Sequence, residues 1–182
     1  MNWHWPLQML SALTVLPLTI FGHAAASELQ PGDTAPDFTL PGSDEKTYHL
    51  ADFRGKQAVV LAWFPKAFTP GCTTECKAFG AGGKSLRAFD VAYFTASVDP
   101  PQKNKEFAQS VAADYPILSD ADGKVARAYG VTGAVQKWAS RWTFYIGADG
   151  KILAIDKNVK PATHPADVAA KLQDLGVAKK KQ

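Results

Sequence analysis

Cysteine is almost absent from this sequence: 182 residues contain two, Cys72 and Cys76. Two cysteines exclude a disulfide-stapled miniature scaffold. Their spacing excludes the Cys-x-x-Cys of a redox dithiol and the paired clusters of a structural zinc site. Excess charge of one sign is also missing. A net charge of +3 is too small and too dispersed for a nucleic-acid surface. The one basic run, Lys179-Lys180-Lys181, reads as part of a solvated tail over residues 179–182. There is no internal repeat and no complete phosphate-binding loop. Residues 80–85, GAGGKS, end like such a loop, but the motif requires a glycine five positions before Gly83, and that position holds Ala78. These glycines also fall inside a helical pattern instead of following a strand, so nucleotide binding is rejected.

Residues 1–26 contain no Asp, Glu, Lys or Arg. Their apolar run, Leu7 to Phe21, is too short and too interrupted by Pro17 to span a bilayer comfortably. It leads into Ala24-Ala25-Ala26, the small-residue pattern of a signal-peptidase site. The sequence therefore predicts a secretory signal over 1–26, cleavage after Ala26, an exported mature chain (periplasmic or secreted) and no stable membrane association thereafter. The n-region departs from the usual pattern in lacking Lys or Arg. An exported chain meets an oxidising compartment in which disulfides persist.

What remains is an ordinary globular composition, 46% hydrophobic and 20% charged, long enough for one domain with a sizeable core. That domain is placed at residues 27–178. The turn-rich lead-in SELQPGDTAPD gives way to short extended stretches at 38–40 and 47–50. Ala58 to Phe64 is a continuous apolar run of the kind that forms a strand buried on both faces. A helix is expected over 73–89, weakened by Gly80, Gly82 and Gly83. A second apolar strand follows at 91–98, then a helix at 103–113, a short extended piece at 116–118 and a brief helix at 124–129. A hairpin around Ala148-Asp149-Gly150 and a last helix over 165–175 complete the chain. This order predicts an α/β fold, a mixed sheet between helical layers, with a right-handed crossover through the first long helix. It puts Cys72 beyond the carboxyl end of a buried strand, where sites form in open α/β sheets.

Three readings of the cysteines compete. On a helix, residues four apart hold their Cβ atoms about 5–6 Å apart, whereas a disulfide needs about 3.5–4.5 Å. A permanent staple would break the helix start to close a tiny loop, so it is disfavoured. A metal clip needs a further ligand, and the mature chain offers only His49 and His164. The reactive reading fits the neighbours. A helix N-terminus or a nearby cation favours the thiolate, which is the nucleophilic form. Thr69 lies three residues upstream with a hydroxyl that can donate and accept. Pro65 and Pro70 stiffen the intervening loop.

Pro65-x-x-x-Thr69-x-x-Cys72 resembles the active-site signature of the peroxiredoxins, thiol peroxidases of the AhpC/TSA-redoxin superfamily with a thioredoxin-like fold. FPKAFTPGCTTEC is most similar to the Q-type, or bacterioferritin-comigratory, branch. The resemblance extends through GDTAPDFTL (32–40), LADFRGK (50–56), ASVDP (96–100), YPILSDADGKVARAYGV (115–131), RWTFYIGADGKI (141–152) and VKPATHPADV (159–168). It implies that Cys72 is the peroxidatic cysteine, attacking a peroxide oxygen and becoming a sulfenic acid. Thr69 would hydrogen-bond the peroxide and Pro65 would shield the thiolate. Arg141 would stabilise the thiolate and the charge that develops as the O–O bond breaks. No cofactor and no metal are implied. The expected partners are hydrogen peroxide or a small organic hydroperoxide, and a thioredoxin-like protein or small thiol as reductant. The chain is expected to be a monomer or weak dimer.

One position departs from the branch. Its resolving cysteine commonly lies five residues after the peroxidatic one, a place held here by Lys77, and Cys76 stands one residue early. Cys76 is expected to resolve the sulfenic acid after the first helical turn unwinds, eased by Gly80, Gly82 and Gly83. The alternative is a one-cysteine cycle with an external thiol. Glu75 is either an ion-pair partner of Arg141 or a solvated acid. His49 and His164 read as surface or core residues, and Trp63 and Trp142 as strand residues that could line the site. A different class of function stays open: a non-enzymatic thioredoxin-fold redox sensor or copper-delivery module. Copper chaperones of this fold carry a histidine just before the penultimate strand, however, where this chain has Ser140-Arg141-Trp142.

Overall fold

In the computed structural model, the described residues are Met1, 28–133 and 135–180. The expected signal segment therefore lies outside them, apart from Met1. Among the described residues, no helix is long and apolar enough to cross a membrane.

Two adjoining β-units and an antiparallel pair build the central sheet. Its strands are β3 (Ala58–Trp63), β4 (Val91–Ser97), β5 (Ile117–Ser119), β6 (Thr143–Ile146) and β7 (Ile152–Asp156), ordered β5-β4-β3-β6-β7. β3, β4 and β5 run parallel, whereas β6 pairs antiparallel with β3 and β7 antiparallel with β6. A separate small hairpin joins β1 (Thr39–Pro41) to β2 (Thr47–His49). The mixed, thioredoxin-like α/β architecture matches the sequence expectation.

The all-apolar β3 is buried along its whole length because helices or the hairpin cover both faces. Side-chain alternation splits it cleanly. Ala58, Val60, Ala62 and Phe64 pack with α1 (Pro70–Leu86), α2 (Pro101–Ser110) and α4 (His164–Asp174). Val59, Leu61 and Trp63 pack with the β1–β2 hairpin and α3 (Lys124–Ala128). On β6 the same period sends Tyr145 to the first core and Phe144 and Ile146 to the second.

α1 starts three residues earlier than the sequence suggested, at Pro70, with Thr69 as the N-cap residue. Proline suits a first helical position because its missing N–H would have had no intrahelical acceptor. Cys72 thus stands within the first turn. One of the α1 glycines has a packing role as well: a Cβ on Gly82 would come within 2.7 Å of the Pro165 ring on α4. The described C-terminal residues are exposed, as expected of a solvated tail, yet their backbone is held. Asp90 N–H donates to Ala178 O at 2.7 Å and Lys180 N–H to Ala88 O at 2.9 Å, stitching the chain end to the turn after α1.

Gly82→Ala tests this packing. At an open helical site the change would stabilise by about 1 kcal/mol. Against the Pro165 ring it should destabilise by about 1–3 kcal/mol in urea unfolding. A gain in stability would refute the close-approach role.

Candidate active site

The chain leaves β3 at Trp63 and reaches α1 through a loop fixed at three points. Phe64 N–H donates to Ala96 O at 2.9 Å. Ala67 N–H donates to Asp99 Oδ2 at 2.8 Å, a carboxylate that also takes 2.6 Å contact from Lys103 Nζ through its other oxygen. Phe68 holds a left-handed backbone, φ 67°, and sets its ring edge-on to Phe107 with centroids 5.1 Å apart. A bulky residue in that region is strained, and such strain concentrates at functional loops.

Pro65 opens this loop, half-buried, and Thr69 closes it. The Thr69 hydroxyl donates to Lys66 O at 2.9 Å and makes no capping bond to the helix. With its proton committed there, the oxygen offers lone pairs to an incoming O–H group. The first intrahelical bond is Thr73 N–H to Thr69 O, 2.9 Å. The Gly71 and Cys72 amides precede it, so they stand at the positive end of the helix without intrahelical acceptors.

Cys72 is fully buried, and Arg141 Nη2 donates to its sulfur at 3.3 Å. Arg141 sits just before β6, and backbone alternation aims it at the α1 side of the sheet together with Thr143 and Tyr145. Its Nη1 forms a close ion pair with Glu75 Oε2. Glu75 is 0% exposed, so it is the ion-pair partner and not the solvated acid. It lies on α1 at the spacing Cys72, Glu75, Cys76, Phe79, which puts all four on the buried helical stripe. Its other oxygen, Oε1, meets His164 Nδ1 at 2.7 Å, and His164 Nε2 meets Thr143 Oγ1 at 2.7 Å.

Both cysteines are free thiols in this structure. Burial pushes the Cys76 thiol up to about 12, with the nearby Cys72 adding to the effect and contacts from Tyr115 and Thr95 opposing it. In the closed helix Cys76 is therefore a neutral thiol. Tyr115 Oη donates to its backbone carbonyl at 2.9 Å.

Of the residues singled out by sequence, the structure brings Cys72, Arg141, Glu75 and Cys76 together, and sets Pro65 and Thr69 on the adjoining loop. Trp63 and Trp142 do not line the site. Trp63 belongs to the opposite core, beside Tyr129, and Trp142 packs there too, under Lys157 Nζ at 4.4 Å from its ring centroid. His49 is exposed and bonded to Thr39. His164 is a core residue with both ring nitrogens engaged, and a cation already occupies the flank of Cys72, which argues against a metal clip. Sequence reading missed the parts played by His164, Thr143, Tyr115 and Asp99. Thr143 was accessible in principle, since it shares a strand face with Arg141 two residues before it.

A buried cysteine on the first turn of a helix, faced by a carboxylate-anchored arginine at the carboxyl end of β3, is an arrangement suited to a reactive thiol. The comparisons give the class, a thiol peroxidase. The AhpC/TSA family model matches residues 31–155. Peroxiredoxin Bcp of Escherichia coli K12 is 34% identical over 142 residues, 75% of this chain and 90% of that protein. Among solved structures, peroxidoxin BcpB of Mycobacterium tuberculosis has 34% identity and a TM-score of 0.73, covering 81% of this chain and 98% of its own. Bacterioferritin comigratory protein of Xanthomonas campestris has 25% identity and a TM-score of 0.70, with 80% and 96% covered. The chain belongs to the AhpC/TSA family, as a peroxiredoxin of the Bcp, or peroxiredoxin Q, kind.

The buried histidine predicts a pH effect on stability. Burial, chiefly, and Arg141 lower the His164 pKa from 6.5 to about 4, against the opposing influence of Asp156 and Asp167. Below pH 6.5 the unfolded chain takes up a proton that the folded one refuses. The stabilising contribution is complete above that pH and is lost as pH falls toward 4. Between pH 7 and 4 the wild type should lose on the order of 3 kcal/mol more unfolding free energy than His164→Asn. Parallel pH dependences in urea titrations would contradict this.

Proposed function

We propose that this peroxiredoxin works through Cys72 as the peroxidatic nucleophile, resolved by Cys76, in an exported compartment. The Arg141 Nη2 contact to the Cys72 sulfur at 3.3 Å carries the reading. A guanidinium there favours the thiolate and then meets the negative charge spreading over the O–O bond. The thiolate attacks one peroxide oxygen, the O–O bond breaks, and the leaving oxygen departs as water or alcohol once it takes a proton. Cys72 is left as a sulfenic acid. Thr69 accepts a hydrogen bond from the substrate, and the Gly71 and Cys72 amides donate to it. Pro65 limits water at the thiolate.

Resolution requires the thiol of Cys76 to attack the sulfenic sulfur, expelling water and forming the disulfide. The intact helix forbids it, because the two Cβ atoms are held about 5–6 Å apart and the Cys76 thiol is too weakly acidic while buried. Unwinding of the first turn removes both obstacles, letting the thiol return toward its ordinary acidity and the chain close. A thioredoxin-like protein or a small thiol would then reduce the disulfide by exchange. Hydrogen peroxide and small hydroperoxides are the proposed substrates. The Xanthomonas campestris relative is described as having alkyl peroxide reduction activity. We further propose that residues 1–26 direct export and that the mature protein is a monomer or weak dimer.

Cys72→Ser should abolish peroxide consumption, with a loss of at least 1,000-fold expected of a removed nucleophile. Cys76→Ser should keep the first reaction with peroxide but lose at least tenfold in steady-state turnover with a dithiol reductant. Both cysteines lie in one tryptic peptide, residues 67–77. On peroxide treatment that peptide should become lighter by two hydrogens in the wild type, and heavier by one oxygen in Cys76→Ser. Unchanged turnover in Cys76→Ser would establish a one-cysteine cycle instead. Amino-terminal sequencing of the protein from its native host should begin at Ser27; a start at Met1 would count against cleavage.

A further inference from the structure

We infer that His164 is a positioning residue for the peroxidatic site, holding Glu75 so that Arg141 keeps one nitrogen free for the Cys72 sulfur. This rests on the roles of Cys72 and Arg141 given above.

The geometry is a chain of contacts reaching the sulfur through four side chains, buried except at Arg141, whose side chain is 19% exposed. Thr143 Oγ1 lies 2.7 Å from His164 Nε2, and His164 Nδ1 lies 2.7 Å from Glu75 Oε1. Glu75 Oε2 then pairs with Arg141 Nη1, and Arg141 Nη2 reaches Cys72 Sγ at 3.3 Å. His164 and Glu75 are both 0% exposed. An ionised carboxylate only accepts, so Nδ1 must carry a proton. A neutral ring then accepts at Nε2, and the Thr143 hydroxyl supplies the donor that fixes this tautomer. The Phe79 ring, edge-on with its centroid 4.8 Å away, fixes the ring plane.

Arginine and carboxylate prefer to meet as a fork, with two parallel N–H···O bonds. Here the pair is single-pronged: Glu75 gives one oxygen to Nη1, and Nη2 is spent on sulfur. What prevents the fork is the second claim on Oε1. With His164 removed, Oε1 would be a buried acceptor without a partner. A replacement of similar bulk that offers no donor leaves no room for water there, so the nearest remedy is to turn toward Nη2 and close the fork. That turn draws Nη2 off the sulfur. His164 thus acts on the reaction without touching substrate, by dividing the guanidinium between a carboxylate and a thiolate.

Asparagine and glutamine separate this role from simple packing. Asn places its amide nitrogen near the position of Nδ1, facing Glu75, whereas Gln places it near Nε2, facing Thr143. The second-order rate of oxidation by hydrogen peroxide would be measured in full-length protein, by stopped-flow fluorescence. Urea unfolding of each variant would be measured alongside. His164→Gln should slow oxidation by tenfold or more, and His164→Asn should stay within about threefold of the wild type. Should the histidine variants fold poorly, Thr143→Val keeps the shape but removes the tautomer-fixing donor, and it should slow oxidation three- to tenfold. Equal rate losses in Gln and Asn variants, tracking their stability losses, would overturn the inference, as would wild-type rates in both or in Thr143→Val. Arg141→Gln in the same assay tells the two failures apart. If it does not slow oxidation, the reading of Arg141 is wrong; if it does and His164→Gln does not, only the positioning role fails.

Discussion

The site depends on one guanidinium shared between a carboxylate and a cysteine sulfur. Arg141 is mostly buried, and it stands against a wholly buried carboxylate and a wholly buried sulfur. A charged pair inside a protein is expensive to desolvate, and removing either member leaves the other stranded. The rest of the architecture supplies what makes that arrangement tolerable. β6 delivers Arg141 to the α1 side of the sheet, and α1 delivers Glu75 one turn after Cys72. α4 brings His164 to the remaining oxygen. Each element contributes one polar group, and none of them can move alone without orphaning a neighbour.

On the proposed cycle the same network makes the closed helix the reactive state, one worth leaving only after reaction. In that cycle the sulfur ends as a neutral sulfenic acid, and Arg141 then loses one of its two partners. The hold on the first turn weakens at the moment when unwinding becomes useful. Beyond Cys76 the helix remains anchored: Phe79 packs in the core, Gly82 fits the Pro165 ring and Tyr115 grips the Cys76 carbonyl. On the proposed cycle, movement is therefore confined to the first turn up to and including Cys76, on the loop side.

Much of this was legible in the sequence because it is local. The apolar run at 58–64 could only be a doubly covered strand, and the spacing from Pro65 to Cys72 announces a loop feeding a helix. Arg141 was readable through family resemblance alone, since nothing in residues 139–143 points to a cysteine 69 positions away. The helix boundary was missed by three residues because Pro70 and Gly71 look like loop formers until the cap is seen. The packing role of Gly82 was not legible because the Pro165 ring it fits lies across the fold. His164 was read as a surface or core residue and is a core one, but its partner on α1 is 89 residues distant and no periodicity connects them.

The early position of the second cysteine has a consequence for how the enzyme ages. At about 100° per residue, a cysteine four places on lies only about 40° around the helix from Cys72, against about 140° for one five places on. Both thiols therefore share a face, and a short fraying of one turn is enough for them to meet. A free helix frays on a sub-microsecond scale, and even a turn slowed by its ion pair has little ground to cover. A sulfenic acid awaiting its partner can instead meet a second peroxide and pass irreversibly to the sulfinic acid. On the proposed cycle, the shorter the wait, the fewer molecules are lost in that way. On that cycle, the shift of one residue toward Cys72 favours endurance under high peroxide over sensitivity to it.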